Sequence, residues 1–138
     1  MGRDAARFLF SLLRHCRFCH HLLRFAVKHF SRILPVKTIL ETEHALVIQH
    51  PSPTYPLHLL ILPKAGWRNL SEVEGTSRFW SEMPCLVERL AAENNLENQG
   101  YRLIINSGEY QDVELLHLHF VSGYNQVTQI SSDSPSPD

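Results

Sequence analysis

Between Pro35 and Gly123 only one stretch of this chain repeats its apolar side chains at helical steps, and that restricts the fold more than any other feature. Phe79, Trp80, Met83, Leu86, Val87, Leu90 and Ala91 recur three and four residues apart between about Ser77 and Asn94, which collects them on one helical face with a kink expected at Pro84. The other apolar runs are short and bounded by turn residues. Lys37–Glu41, Ala45–Gln49, His58–Leu62, Tyr101–Asn106 and Glu114–Ser122 read as strands, the first two as a hairpin around Glu43 and His44. Three prolines between His50 and Pro56 make that segment a loop, and Pro63 stops the third strand. Three strands, a helix and two strands is an α+β order.

Ahead of Pro35 the chain has another character. Residues 1–34 carry Arg3, Arg7, Arg14, Arg17, Arg24, Lys28 and Arg32 against the single acid Asp4, a charge of +6 in a chain whose net charge is −1. At about 100° per residue the basic side chains share one sector and Leu9, Leu12, Cys16, Leu23, Ala26, Val27, Phe30 and Leu34 lie opposite, with Phe10 and Phe25 out of pattern. A basic amphipathic helix from about Arg3 to Ile33 is therefore expected. Its readings are three: packing on the body or on a second subunit, contact with an anionic membrane surface, or an organelle transit peptide. Basic residues and histidines interrupt every apolar run of the arm, so no spanning helix is expected. After Gly123 the polar, Ser- and Pro-rich tail cannot bury enough to offset its ordering entropy, and disorder is expected. The division read from the sequence is thus 1–34 arm, 35–123 domain, 124–138 tail.

Cys16, Cys19 and Cys85 cannot all pair, and no secretory pattern precedes them, which points to a reducing, cytoplasmic setting. Cys16-Arg-Phe-Cys19 followed by His20 and His21 looks like half of a zinc site without its other half.

On the last strand, side chains of alternate residues share a face, so His117 and His119 point one way and Leu116, Leu118 and Phe120 the other. Two imidazoles roughly 7 Å apart along a strand can share a small anion, one attacking phosphorus while the other holds an oxygen. A bare His-x-His is also found as a surface pair or a metal-binding coincidence.

Its context is specific. Gly100-Tyr101-Arg102-Leu-Ile-Ile-Asn106-x-Gly108, then Gln111-x-Val113, then His117-x-His119 resembles the histidine triad signature, and His58-Leu-Leu-Ile-Leu-Pro63-Lys64 resembles that family's strand ending in a Pro-Lys pair. The resemblance covers some 85 residues, from about Leu40 to Gly123, and is closest to the small histidine triad nucleotide-binding hydrolases. It implies a five-stranded antiparallel sheet with a long helix, a homodimer, and a purine nucleotide or phosphoramidate as ligand. In it His117 attacks the α-phosphorus to form a nucleotidyl-histidine, His119 binds phosphate oxygen, Asn106 and Gln111 contact the phosphate region and His58 supports the site. No metal, cofactor or nucleic acid is implied. Structurally, Asn106 could close a turn, Gln111 could be solvated and His58 could be a hydrogen-bonded core residue.

The sequence departs from the pattern at four places. Leu115 stands where the first triad histidine would be, so His58 needs another partner. His50 stands where relatives place an acid on the ribose hydroxyls, and imidazole cannot accept two hydroxyl bonds as a carboxylate does. The Gly108–Gln111 loop is short and carries Glu109. Asp112 replaces a small hydroxyl residue near the leaving group and is either a proton donor or a strand cap. A non-catalytic nucleotide- or phosphate-binding module is the alternative to a hydrolase or transferase.

Overall fold

The two runs richest in aliphatic residues, Ala45–Gln49 (β2) and Leu57–Pro63 (β3), are buried almost throughout. Strands apolar on both faces belong inside a sheet, and that is where they lie. In the computed structural model, which describes residues 37–123, the sheet order is β1-β2-β3-β5-β4, with β1 at Thr38–Glu41, β4 at Arg102–Ile105 and β5 at Leu118–Ser122. All four pairings are antiparallel. The more exposed strands, β1 and β4, form the edges.

The 3.6-residue period becomes helix α1, Arg78–Glu93, which continues through Pro84. It buries Phe79, Met83, Leu86, Val87, Leu90 and Ala91 against Ala45, Val47, Leu59, Ile61, Leu118 and Phe120 of the sheet. The opposite face holds Leu46, Ile48, Leu60, Leu62 and Val121, also buried, together with His58. The five expected strands and the helix are all present, an α+β fold with the expected antiparallel sheet.

One boundary differs. The expected strand from Glu114 begins only at Leu118, because the backbone before it bonds elsewhere: Leu115 N–H donates to Val113 O at 2.7 Å and Leu116 N–H to Trp67 O at 2.7 Å. The β3 ladder pairs Ile61 with Leu118. Two residues further it would meet Pro63, which has no N–H to give. His117 therefore sits on the bend leading into β5 rather than on the strand. The amphipathic arm, Cys16, Cys19 and the polar tail lie outside the described residues.

Candidate active site

Sheet register brings four of the expected residues into one row. β5 lies between β3 and β4, with His119 opposite Leu60 on one side and Ile104 on the other. His58, two residues before Leu60, and Asn106, two after Ile104, are diagonal neighbours of His119 on the same face, within reach for long side chains. His50 N–H donates to His58 O at 2.9 Å, which continues the β2–β3 ladder and sets these two residues opposite each other. Their rings stack with centroids 4.0 Å apart and planes 18° from parallel. His117 completes the cluster, its ring 4.9 Å from that of His119 at a steep angle.

Hydrogen bonds fix where each proton sits. A carbonyl oxygen can only accept, so the 2.7 Å contact between His117 Nδ1 and Leu115 O places the proton on Nδ1 and leaves Nε2 as a bare lone pair. In His58 the polarity is reversed. Thr54 N–H donates to its Nδ1 at 3.3 Å, so the proton of the neutral ring is on Nε2, which donates to His119 Nδ1 at 2.9 Å. His119 must then carry its own proton on Nε2. With the proton of His119 on Nε2, Asn106 Nδ2 lies 3.4 Å from that nitrogen as a second donor, a contact that a half-turn of the amide would convert into an N–H···O bond. The site presents one imidazole as a lone pair and the next as an N–H donor.

Burial keeps these rings uncharged. Desolvation is the largest cause of the lowered pKa of all four, against weaker opposing effects at His117 from its bond to Leu115 and from Asp112. His58 is pushed down to about 3 and His119 to about 4, in both cases by burial first and then by neighbouring imidazoles. His50 is also lowered, by desolvation first. Such a cluster resists becoming several cations at once and is neutral near pH 7.

Three of these rings, His50, His58 and His119, bring a nitrogen each within 4.8 Å of the others, close enough for one metal ion. The wiring opposes it. A histidine ligand gives its lone pair to the metal and its other N–H to an acceptor. Here Nδ1 of His58 accepts from Thr54 N–H and Nδ1 of His50 accepts from Ser52 N–H at 3.0 Å, so both rings hold their protons on Nε2.

The remaining expected residues fall around this row. Gln111 spends its amide nitrogen on Arg68 O at 2.5 Å and Val113 O at 2.9 Å, so it braces the loop beneath His117. Asp112 is exposed but within electrostatic reach of both His117 and His119. Glu109 is exposed. Lys64 of the Pro-Lys pair reaches Glu41 at 2.7 Å and Thr42 O at 2.6 Å, which fixes the β1–β2 corner. Leu115 is buried, and His58, without a histidine there, takes His119 as its partner. The backbone amides of Ser52 and Thr54 had no signal in the sequence. The pairing of His50 with His58 did have one, in the antiparallel register of two strands joined by a proline-rich loop.

A fold of this order carrying this histidine row defines a histidine triad domain. The family model for the HIT domain matches residues 32–126, and the chain belongs to that family. A HIT-like protein from Azospirillum brasilense is 33% identical over 102 residues, covering 68% of this chain and 84% of its own length. Among solved structures, a HIT family hydrolase from Legionella pneumophila Philadelphia 1 aligns at TM-score 0.62 and 28% identity over 70% of this chain and 93% of its own. A zinc-bound histidine triad family protein from Mycobacterium smegmatis aligns at TM-score 0.60 and 27% identity, over 85% and 83%.

Proposed function

We propose that this chain cleaves or transfers the α-phosphoryl group of a nucleoside phosphoramidate or related nucleotide ester through a nucleotidyl-His117 intermediate. The observation that carries the reading is the opposite polarity of two adjacent neutral imidazoles, Nε2 bare on His117 and Nε2–H on His119. A lone pair beside a donor is what in-line displacement at phosphorus requires. His117 Nε2 attacks the α-phosphorus, a P–N bond to the ring forms, and the bond to the leaving amine breaks as that amine takes a proton from solvent. Water then attacks the same phosphorus, the ring leaves, and the water's proton passes to solvent. Throughout, His119 Nε2–H and the Asn106 amide stabilise charge on the phosphoryl oxygens. Gln111 holds the loop and His58 holds His119. His50 and Asp112 line the approach, toward the nucleoside and the leaving group respectively.

The name of the Legionella relative, a hydrolase, supports the same class of activity. The ligand under this reading is a purine nucleotide or its phosphoramidate, and the assembled form is a homodimer. A cytoplasmic setting, with membrane-surface contact through the basic arm, accords with the sequence. No helix among the described residues is long and apolar enough to cross a membrane.

Purified protein incubated with adenosine 5'-phosphoramidate is expected to release AMP, His117→Ala to release none, and His119→Ala to release it roughly a hundredfold more slowly, the cost of removing one such donor. AMP binding without release by the wild type would replace this reading with a nucleotide-binding module.

A further inference from the structure

We propose that the proline-rich loop 50–56 sets the polarity of His119 from a distance: the Thr54 backbone N–H fixes His58 as its Nε2–H tautomer, and His58 in turn holds the proton of His119 on Nε2. Thr54 and His58 are then positioning residues for the donor that meets the phosphoryl oxygen. The kinetic consequence rests on the phosphoryl-transfer reading, whereas the tautomers do not.

A neutral imidazole in water exchanges its proton between two nitrogens, and only one form of His119 serves the chemistry. The Nδ1–H form would turn a lone pair toward a phosphoryl oxygen and repel it. In this structure the choice is passed along two hydrogen bonds, Thr54 N–H to His58 Nδ1 at 3.3 Å and His58 Nε2–H to His119 Nδ1 at 2.9 Å. His58 has little freedom to reorient. It is 7% exposed, stacked on His50, and met edge-on by Tyr55 at 5.6 Å.

The loop is economical in donors. Pro51, Pro53 and Pro56 have no N–H, so residues 51–56 hold only three, on Ser52, Thr54 and Tyr55. Two of the three are directed at imidazole Nδ1 atoms, Ser52 at His50 and Thr54 at His58. The far end of the loop is tied to the strand that carries His119. Gly123, directly after β5, has φ +83°, and a Cβ there would come within 2.8 Å of Pro56 Cγ. Proline stiffness and this close approach hold the Thr54 amide in register with the ring it polarises.

Nitrogen-15 NMR of the full-length protein near pH 7 reads the tautomers without any substrate. The expected spectrum has His58 and His119 protonated on Nε2 and His117 on Nδ1. Thr54→Pro removes the donor, so His119 should become a mixture of tautomers and kcat for AMP release should fall about fivefold with KM little changed. That figure is the ~1 kcal/mol of one hydrogen bond at tenfold per 1.4 kcal/mol. His58→Gln separates positioning from general damage, because a glutamine amide donates to His119 Nδ1 whether or not Thr54 has an N–H. In that background Thr54→Pro should have no further effect. An equal loss in both backgrounds would overturn the proposal. So would a wild-type spectrum with the His119 proton on Nδ1, a result that stands even if Thr54→Pro does not fold. Wild type that lacks phosphoramidase activity yet shows the expected tautomers would defeat the proposed function and support the relay.

Discussion

The face of the sheet beneath α1 and the face that carries the imidazoles are made from the same strands, yet different forces hold each in place. Under α1 the contacts are Leu59, Ile61, Leu118 and Phe120 against Phe79, Met83, Leu86 and Leu90, where volume and burial decide everything and no polar side chain intervenes. Behind it, His50, His58 and His119 are held by backbone donors and by one another. The first face tolerates exchange of one aliphatic residue for another of similar volume. The second depends on the direction of single protons, so a substitution of equal size can erase the polarity of its hydrogen bonds. Stability and activity should therefore separate by face.

His117→Ala tests that separation where the effect is largest. It should reduce AMP release by at least about a thousandfold, as loss of a covalent nucleophile does, with a smaller change in Tm than a core truncation gives, because the ring is partly exposed and lies outside the α1 core. Leu90→Ala is the opposite experiment. Leu90 is fully buried in the α1 interface, and its truncation should cost about 2–5 kcal/mol in denaturant unfolding. The surviving folded fraction should keep its histidine tautomers. A drop in Tm for His117→Ala as large as that for Leu90→Ala would show the two faces to be energetically one.

Gly123→Ala tests the place where they meet. A left-handed φ of +83° and a Cβ 2.8 Å from Pro56 both oppose any side chain, at a cost of about 1–2 kcal/mol for the backbone conformation alone. Because Pro56 belongs to the loop that carries Thr54, activity should also fall by more than the lost folded fraction explains. Circular dichroism melts beside AMP release at a temperature where the variant is fully folded would measure the two contributions.

The difference between the faces also explains what was legible in the sequence. The 3.6-residue period of residues 77–94 and the aliphatic runs of β2 and β3 mark burial directly, so the helix and the sheet were readable from residue types. The signature around Asn106, His117 and His119 pointed to the candidate site for a similar reason, since side-chain type marks it, whereas Gln111, expected at the phosphate, spends its amide nitrogen on Arg68 O and Val113 O. The wiring was not readable. Which nitrogen of His58 bears a proton depends on the Thr54 backbone amide, a group that every residue but proline possesses and that no pattern of side chains announces. The start of β5 was misplaced for the same reason: Glu114–His117 has the composition of a strand, but Val113 O and Trp67 O take the N–H groups that a ladder would need.

Acid should act on the histidine face first. His58 and His119 are held down to about 3 and about 4, chiefly by burial, whereas a histidine in the unfolded chain titrates near ~6.5. Between those values the unfolded chain binds protons that the folded one refuses, so stability is complete above the unfolded pKa and declines as pH falls toward the folded ones. Tm should be flat from pH 8 to 7 and fall between pH 6 and 4, and His58→Gln should flatten the decline. A Tm independent of pH over that range would mean the rings are more solvated than their packing indicates.

Asp112→Asn is expected to have the smallest effect and addresses the remaining ambiguity in the site. Asp112 raises the pKa of His117 and His119 through its charge, against the larger desolvation that lowers both. Removing that charge should carry both pKa values further down, which moves the acid limb of the kcat/KM profile to lower pH and leaves the rate at pH 7 nearly unchanged. A proton donor would behave otherwise. If Asp112 supplies the proton to the leaving amine, Asp112→Asn should lower kcat at pH 7 by about a hundredfold for a poor leaving group and much less for a phenolic ester that departs without protonation. The two substrates compared at one pH thus distinguish an electrostatic neighbour from an acid. Because Asp112 stands outside the histidine row, either outcome leaves the polarity of His117 and His119 where their hydrogen bonds put it.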